Sequence, residues 1–307
     1  MTLKLGLVGL GKIAKTQHLP AIAATDGIDL AAIASRNATL DGLPGYSDIA
    51  HLLAAEPEVD AISLCTPPEG RFEQAVAAIG AGKHLMLEKP PGATVGEVMA
   101  LTDLAAAKGV TLFATWHSRE AAAVEAAREF LAGTRIRAAR VSWKEDVRLW
   151  HPGQQWIWEP GGLGVFDPGI NALSIVTRLF AEPLRVEAAE LSFPENRETP
   201  IAASLAMRSS SGIPVSAVFD WRQTGPQSWN IEIDTDAGLV ALADGGARLL
   251  VDGAERLAGP DREYQGLYRR FVALVAAGES DVDLSPLRIV SDAYLLGSRK
   301  IVEAFED

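Results

Sequence analysis

Five short runs in the first third of the chain are almost wholly apolar: Leu3–Val8, Leu30–Ser35, Ala61–Cys65, His84–Glu88 and Thr111–Trp116. Apolarity without alternation over so few residues predicts strands buried on both faces of a parallel sheet. Between these runs the spacing turns helical. Ala14–Ala24 follows a glycine turn, Arg71–Ala81 repeats Phe72, Ala75, Val76 and Ile79 before Gly82, and Val95–Lys108 repeats Val98, Leu101, Leu104 and Ala105 before Gly109. Glycine just past the last periodic residue is a common helix C-terminal cap. Strands alternating with helices predict an α/β domain with a doubly wound parallel sheet over residues 1–120.

The pattern changes near residue 120. After a predicted helix over Glu120–Leu131, strand-like segments follow at Ile136–Trp143, Val186–Phe193, Ile201–Arg208, Pro214–Trp221, Ser228–Thr235 and Gly238–Ala243. Turn signals such as Ser209-Ser210-Ser211-Gly212 and Asp244-Gly245-Gly246 separate some of them. Strands joined by short turns predict an open, mainly antiparallel sheet, and so a second, α+β domain over residues 121–307. Two helices, about Tyr264–Ala277 and Pro286–Glu306, are expected to close the chain, the latter packing back towards the first domain. A wide sheet with one face uncovered by helices predicts a homodimer or homotetramer formed through it.

Composition narrows the classes of function. The 307 residues are 48% hydrophobic and 22% charged, enough to bury a sizeable core. Forty acids against 28 bases leave a net charge of −12, which argues against nucleic acid and anionic membrane as partners. The one cysteine, Cys65, excludes an intramolecular disulfide and any multi-cysteine metal site. The five histidines lack metal-motif spacing, so no metal is expected. No targeting signal is visible and no run approaches the roughly 18–20 apolar residues of a membrane span, so a cytoplasmic protein is the expectation.

Gly9-Leu10-Gly11-Lys12-Ile13-Ala14 fits G-x-G-x-x-G/A between a predicted strand and a predicted helix. The first glycine permits a tight turn, the second lets a pyrophosphate approach the backbone, and the helix N-terminus offers free N–H groups to it. This is the dinucleotide-binding fingerprint of a Rossmann domain. The end of the second strand, Ser35-Arg36-Asn37, selects the cofactor. Its nearest upstream acid, Asp29, stands at the strand's start, roughly 20 Å away at about 3.3 Å per residue. Without an acid for the ribose, and with Arg36 available for a 2′-phosphate, NADP is favoured and NAD also accepted. The plainer alternative makes Arg36 a solvated loop residue. Cys65-Thr66-Pro67 and Glu88-Lys89-Pro90-Pro91 follow the next two strands, at the carboxyl edge where ligands bind. Lys89, on a stiff loop, is suited to stabilising a developing alkoxide.

A glycine-rich stretch, Gly161-Gly162-Leu163-Gly164-Val165-Phe166-Asp167-Pro168-Gly169-Ile170-Asn171, precedes another predicted helix. Asp167 there is either a helix N-cap or a functional acid, with Asn171 one turn on. The glycine fingerprint, the Glu-Lys-Pro loop and this segment, in this order, resemble the Gfo/Idh/MocA oxidoreductases over essentially the whole chain. The resemblance implies NAD(P)-dependent hydride transfer at a carbinol carbon, usually of a sugar or cyclitol. It also implies contacts to the cofactor from Gly9, Gly11, Lys12, Ile13, Ser35, Arg36, Asn37, Cys65, Thr66, Pro67, Glu88 and Lys89. Many members carry histidine, read as the general acid/base, where this chain has Asn171. Asparagine cannot accept a proton at neutral pH, so it can only orient substrate. Asp167 is then the leading proton acceptor, assisted by Lys89, with His117 as the second candidate. The Asp-x3-Asn form is similar to that of bacterial aldose 1-dehydrogenases acting on L-arabinose and D-galactose.

All seven tryptophans fall between Trp116 and Trp229. Flat apolar rings with one N–H suit the C–H faces of a pyranose. Trp143 and Trp221 read as sheet residues, whereas Trp150 and Trp156, in an irregular segment, and Trp229 join His117, Asp167 and Asn171 as candidate substrate contacts. No tight arginine cluster marks a carboxylate site, so a neutral aldopyranose oxidised at C1 to its lactone is the expectation. A dehydrogenase for another polyol, and a non-catalytic sensor of NAD(P) or sugar, are the rival readings.

Overall fold

The computed structural model describes residues 2–306. Among these residues the chain forms two sheets and divides into two compact units. The first unit runs as far as His117 and takes up Arg262–Leu284; the second holds Ser118–Asp261 and the residues from Ser285 onward.

Six strands build the first unit: β1 (Leu3–Val8), β2 (Ile28–Ala34), β3 (Gly45–Tyr46), β4 (Ala61–Leu64), β5 (His84–Leu87) and β6 (Leu112–Ala114). They lie parallel in the order β3-β2-β1-β4-β5-β6. The strand order reverses between β1 and β4, which opens a crevice beyond their carboxyl ends. The unbroken apolar runs now have a cause. Leu3, Leu5 and Leu7 of β1 enter one apolar cluster, and Val8 joins Ile62, Leu64, Leu85 and Leu87 in another on the opposite face. Helix Glu263–Ala277 completes the first of these clusters with Tyr264, Leu267, Tyr268, Phe271 and Leu274.

The second unit holds β7 (Ile136–Lys144), β8 (Leu184–Pro194), β9 (Ala202–Ser209), β10 (Pro214–Asp220), β11 (Ser228–Thr235), β12 (Gly238–Ala243), β13 (Arg248–Val251), β14 (Ala254–Ala258) and β15 (Ser298–Val302). Their order is β14-β13-β12-β11-β7-β10-β9-β8-β15, antiparallel except at β7–β10 and β8–β15. Side chains alternate across the sheet: β10 buries Val215, Ala217 and Phe219 and leaves Ser216 and Val218 exposed. Helix Phe166–Leu179 lies on the buried face, so close that a Cβ at Gly169 would come 3.0 Å from Phe219 Cδ1.

The structure departs from the sequence pattern at the chain's end. The helix expected over Pro286–Glu306 spans Ser285–Leu296. It stops at Gly297, where any Cβ would meet Ala293 O at 2.4 Å. The chain then pairs β15 alongside β8; as a charged, exposed edge strand it has no apolar alternation to betray it. That helix lies within the second unit, and Glu263–Ala277 is the one that joins the first. The hairpin β13–β14 turns through Asp252-Gly253, both at positive φ, as an Asp-Gly hairpin turn requires. The helix expected from Glu120 is a 3-10 turn, His117–Glu120, followed by Val124–Ala132. No helix of the described residues is long and apolar enough to cross a membrane.

Candidate active site

The glycine turn sits where β1 ends. Gly9 has φ of 94°, and a Cβ there would stand 2.9 Å from Thr66 N, so conformation and space both demand glycine. Around Gly11 nothing lies within 4 Å of the position a Cβ would take, which leaves the backbone open to a phosphate. Lys12 and Ile13 follow, both exposed, and the helix continues as a π turn, Ala14–His18, into Leu19–Ala23. Ser35, whose N–H donates to Tyr46 O at 2.8 Å, and the exposed Arg36 and Asn37 leave the end of β2. Cys65 and Thr66 are half-buried and Pro67 is exposed at the end of β4, with Thr66 Oγ1 donating to Gln74 Oε1 at 2.9 Å. An open glycine backbone at a helix start fits the pyrophosphate of a nicotinamide dinucleotide.

The loops after β4 and β5 are joined by an arginine that carries no sequence motif. Arg71 is 2% exposed at the start of helix Arg71–Gly80. Its Nε donates to Thr66 O at 3.1 Å, and its guanidinium also bonds the carbonyls of Glu88 and Pro90. Burial, partly offset by Glu88 and Cys65, pulls its pKa down to about 10, so it remains a cation at neutral pH. The Lys89–Pro90 peptide is cis.

Behind Lys89 lies a buried polar cluster. Glu88 accepts from Tyr264 Oη at 3.0 Å and pairs with His18 Nε2 at 3.1 Å. His18 Nδ1 is 2.7 Å from Tyr268 Oη, which lies 3.3 Å from Ser63 Oγ. Burial opposes ionisation of Glu88, but His18, His117 and Lys89 outweigh it and hold the pKa at about 2. Burial likewise opposes protonation of His18, and Cys65, Tyr268 and Glu88 raise it well above the ordinary imidazole value. The two therefore form a buried ion pair. His117, past the end of β6, bonds Glu263 through Nδ1 and stacks on Tyr264 at 5.2 Å.

The glycine-rich segment belongs to the second unit. A Cβ at Gly162 would stand 2.2 Å from Trp156 O, and one at Gly164, where φ is 55°, 2.5 Å from Pro200 O. The helix that follows has Val165 at its cap position and no side-chain cap, so Asp167 is not the N-cap that the plainer reading made it. Asp167 is instead buried in the first turn. Its Oδ2 lies 3.7 Å from His151 Nε2, which is 3.6 Å from Glu145 Oε1. Glu145 is 4% exposed and accepts from Trp229 Nε1 at 2.9 Å. Trp150 meets Trp229 edge-on at 5.3 Å, and Trp221 packs against His151 at 5.4 Å. Asn171 is half-buried one turn beyond Asp167, its carbonyl accepting from Ser174 Oγ at 2.7 Å.

The structure thus unites Asp167, Trp150 and Trp229 with two residues outside the expected substrate set, Glu145 and His151. Among the described residues Trp156 makes none of these ring contacts; it lies on the turn Gln155–Trp158. His151 has a weak signal, a histidine next to Trp150 in an irregular segment. Glu145 has none, since an acid after a strand is ordinary.

The family model described as an oxidoreductase family with an NAD-binding Rossmann fold matches residues 3–116. The galactose 1-dehydrogenase of Pseudomonas fluorescens is 44% identical, the alignment covering 99% of this chain and 99% of that protein. The crystal structure of a D-galactose-1-dehydrogenase from Rhizobium etli matches with TM-score 0.96 and 56% identity, over 99% of this chain and 98% of that one. At 19% identity, the aldose-aldose oxidoreductase of Caulobacter crescentus shares the fold alone, with TM-score 0.84 over 96% of this chain and 97% of that one. Likeness of this extent, along the full length and through both units, makes the chain a member of the Gfo/Idh/MocA oxidoreductase family.

Proposed function

We propose that this protein is an NAD(P)-dependent aldose 1-dehydrogenase that oxidises the C1 carbinol of a neutral aldopyranose to the lactone. D-Galactose is the leading substrate, and L-arabinopyranose, which lacks only its hydroxymethyl group, the second. The observation that carries the reading is 44% identity to a galactose 1-dehydrogenase across 99% of both chains. When bound, the nicotinamide supplies the acceptor for the C1 hydride. The C1 hydroxyl gives its proton to Asp167, while the Lys89 ammonium stabilises the developing oxyanion. Carbon 1 thereby loses a hydride and its oxygen a proton, and the C–O bond becomes the lactone carbonyl. His151, 3.7 Å from Asp167, offers the imidazole that Asn171 cannot, and takes the proton onward. Trp150 and Trp229 offer apolar faces to the sugar, and Glu145, held by Trp229, accepts a hydrogen bond from a sugar hydroxyl.

Arg36 at the end of β2 supports NADP as the preferred cofactor, with NAD also used. The exposed face of the nine-stranded sheet, where Val218 is 41% exposed, supports a homodimer or homotetramer, which light scattering reads directly. The deciding experiment incubates the protein with D-galactose, L-arabinose, D-glucose and myo-inositol, each with NAD+ and with NADP+, and follows nicotinamide reduction. Turnover of the two named aldoses to lactone is expected. Preference for myo-inositol would overturn the substrate, and cofactor binding without any turnover would overturn the enzyme reading.

A further inference from the structure

Three segments at the carboxyl edge of the first unit each send one polar side chain into a single buried cluster. His18 comes from the helix behind Gly9–Ile13, Ser63 from β4 ahead of Cys65–Pro67, and Glu88 from the end of β5 ahead of Lys89. They meet on Tyr264 and Tyr268, one turn apart on helix Glu263–Ala277. Tyr264 donates to Glu88, while Tyr268 bridges His18 and Ser63. The π turn Ala14–His18 takes His18 out of ordinary helical register, a distortion often found at functional sites. Every one of these side chains is buried, so water competes for none of the bonds.

We propose that Tyr264 and Tyr268 are positioning residues of the cofactor site. From 176 and 250 residues away in sequence, they lock the phosphate-binding helix, the Cys65–Pro67 loop and the Glu88–Lys89 loop into one arrangement. The dinucleotide then meets an edge already formed, and binding does not bear the cost of ordering it. The inference rests on the reading of this edge as the dinucleotide site and is independent of which sugar is oxidised.

Tyr264→Phe and Tyr268→Phe each remove one O–H and keep the ring. The full-length protein is titrated with NAD+ and NADP+, following tryptophan fluorescence, and its Tm is measured alongside. Each variant is expected to raise the cofactor Kd about tenfold, the scale of one buried hydrogen bond, and to lower Tm by a few degrees, because the same bond is lost from the unliganded fold. His18→Gln, which keeps a donor for Glu88, is expected to bind more tightly than His18→Phe; should one tyrosine variant fail to fold, this pair and the other variant make the same comparison. Dissociation constants within about twofold of wild type, with only Tm lowered, would overturn the proposal, because the hydroxyls would then serve stability alone. A wild-type protein that binds cofactor but oxidises no aldose overturns the substrate reading and leaves this comparison standing.

Discussion

Glu88 and Asp167 are both buried acids with a histidine close by, and the proposed mechanism asks only Asp167 to accept a proton. Glu88 is ringed by His18, His117 and Lys89 and held at about 2, so it stays a carboxylate and is a poor proton acceptor at neutral pH. Asp167 has the His151 imidazole at 3.7 Å, farther off than the 3.1 Å between His18 and Glu88. Asp167→Ala and Lys89→Ala are each expected to lower kcat by about 10²-fold or more, the usual contribution of an acid–base group for the first and of an oxyanion-stabilising group for the second. An Asp167→Ala enzyme with near-normal kcat would remove it from the mechanism. Arg36→Ala is expected to raise KM for NADP about tenfold or more and KM for NAD far less, because only NADP carries the 2′-phosphate. Equal effects on both would reduce Arg36 to a stacking or solvated residue. Gly9, Lys89 and Asp167 could be picked out in sequence because each lies in a local motif. His151 carried only a weak signal beside Trp150, and Glu145 and Arg71 carried none, because what makes them notable is a neighbour in space, such as Trp229 or the Thr66 carbonyl.

Between elements, Arg71 does the joining that no motif announces. One helix start is tied through it to the loops after β4 and β5. Arg71→Leu is expected to destabilise the protein by about 3 kcal/mol, because it leaves several buried carbonyls without donors. A melting temperature equal to wild type would show that the loops hold without it. Arg71→Lys keeps the charge but not the planar fork, and is expected to fall between the two. Parallel strands were legible at this scale because burial on both faces writes an unbroken apolar run. The edge strand β15 was not, because only one neighbour pairs with it and its side chains face water.

For the whole molecule, the His18–Glu88 pair sets limits on stability against pH. Glu88 is held at about 2 against an ordinary 4.5, so its contribution is complete above about 4.5 and is lost as pH falls towards 2. A depression of that size is worth on the order of 3 kcal/mol. His18 is raised, so its contribution is complete below 6.5 and is lost as pH climbs through its raised value. Both are whole only between these limits. Glu88→Gln is expected to flatten the acid limb of Tm against pH; an unchanged acid limb would show that other carboxylates govern it. The two-unit plan was readable in outline from the change of pattern near residue 120, but the return of Glu263–Ala277 to the first unit was not, since an amphipathic helix does not name the surface it covers. That return has a consequence for biosynthesis. The ribosome releases β1–β6 first, yet Leu5 and Leu7 wait for Leu267 and Phe271 to cover them. At about 5–20 residues per second the interval is on the order of ten to thirty seconds. For that time the cluster holds only its early members, such as Ala14, Ala21 and Ile22, and the part of the protein made first is among the last to be finished.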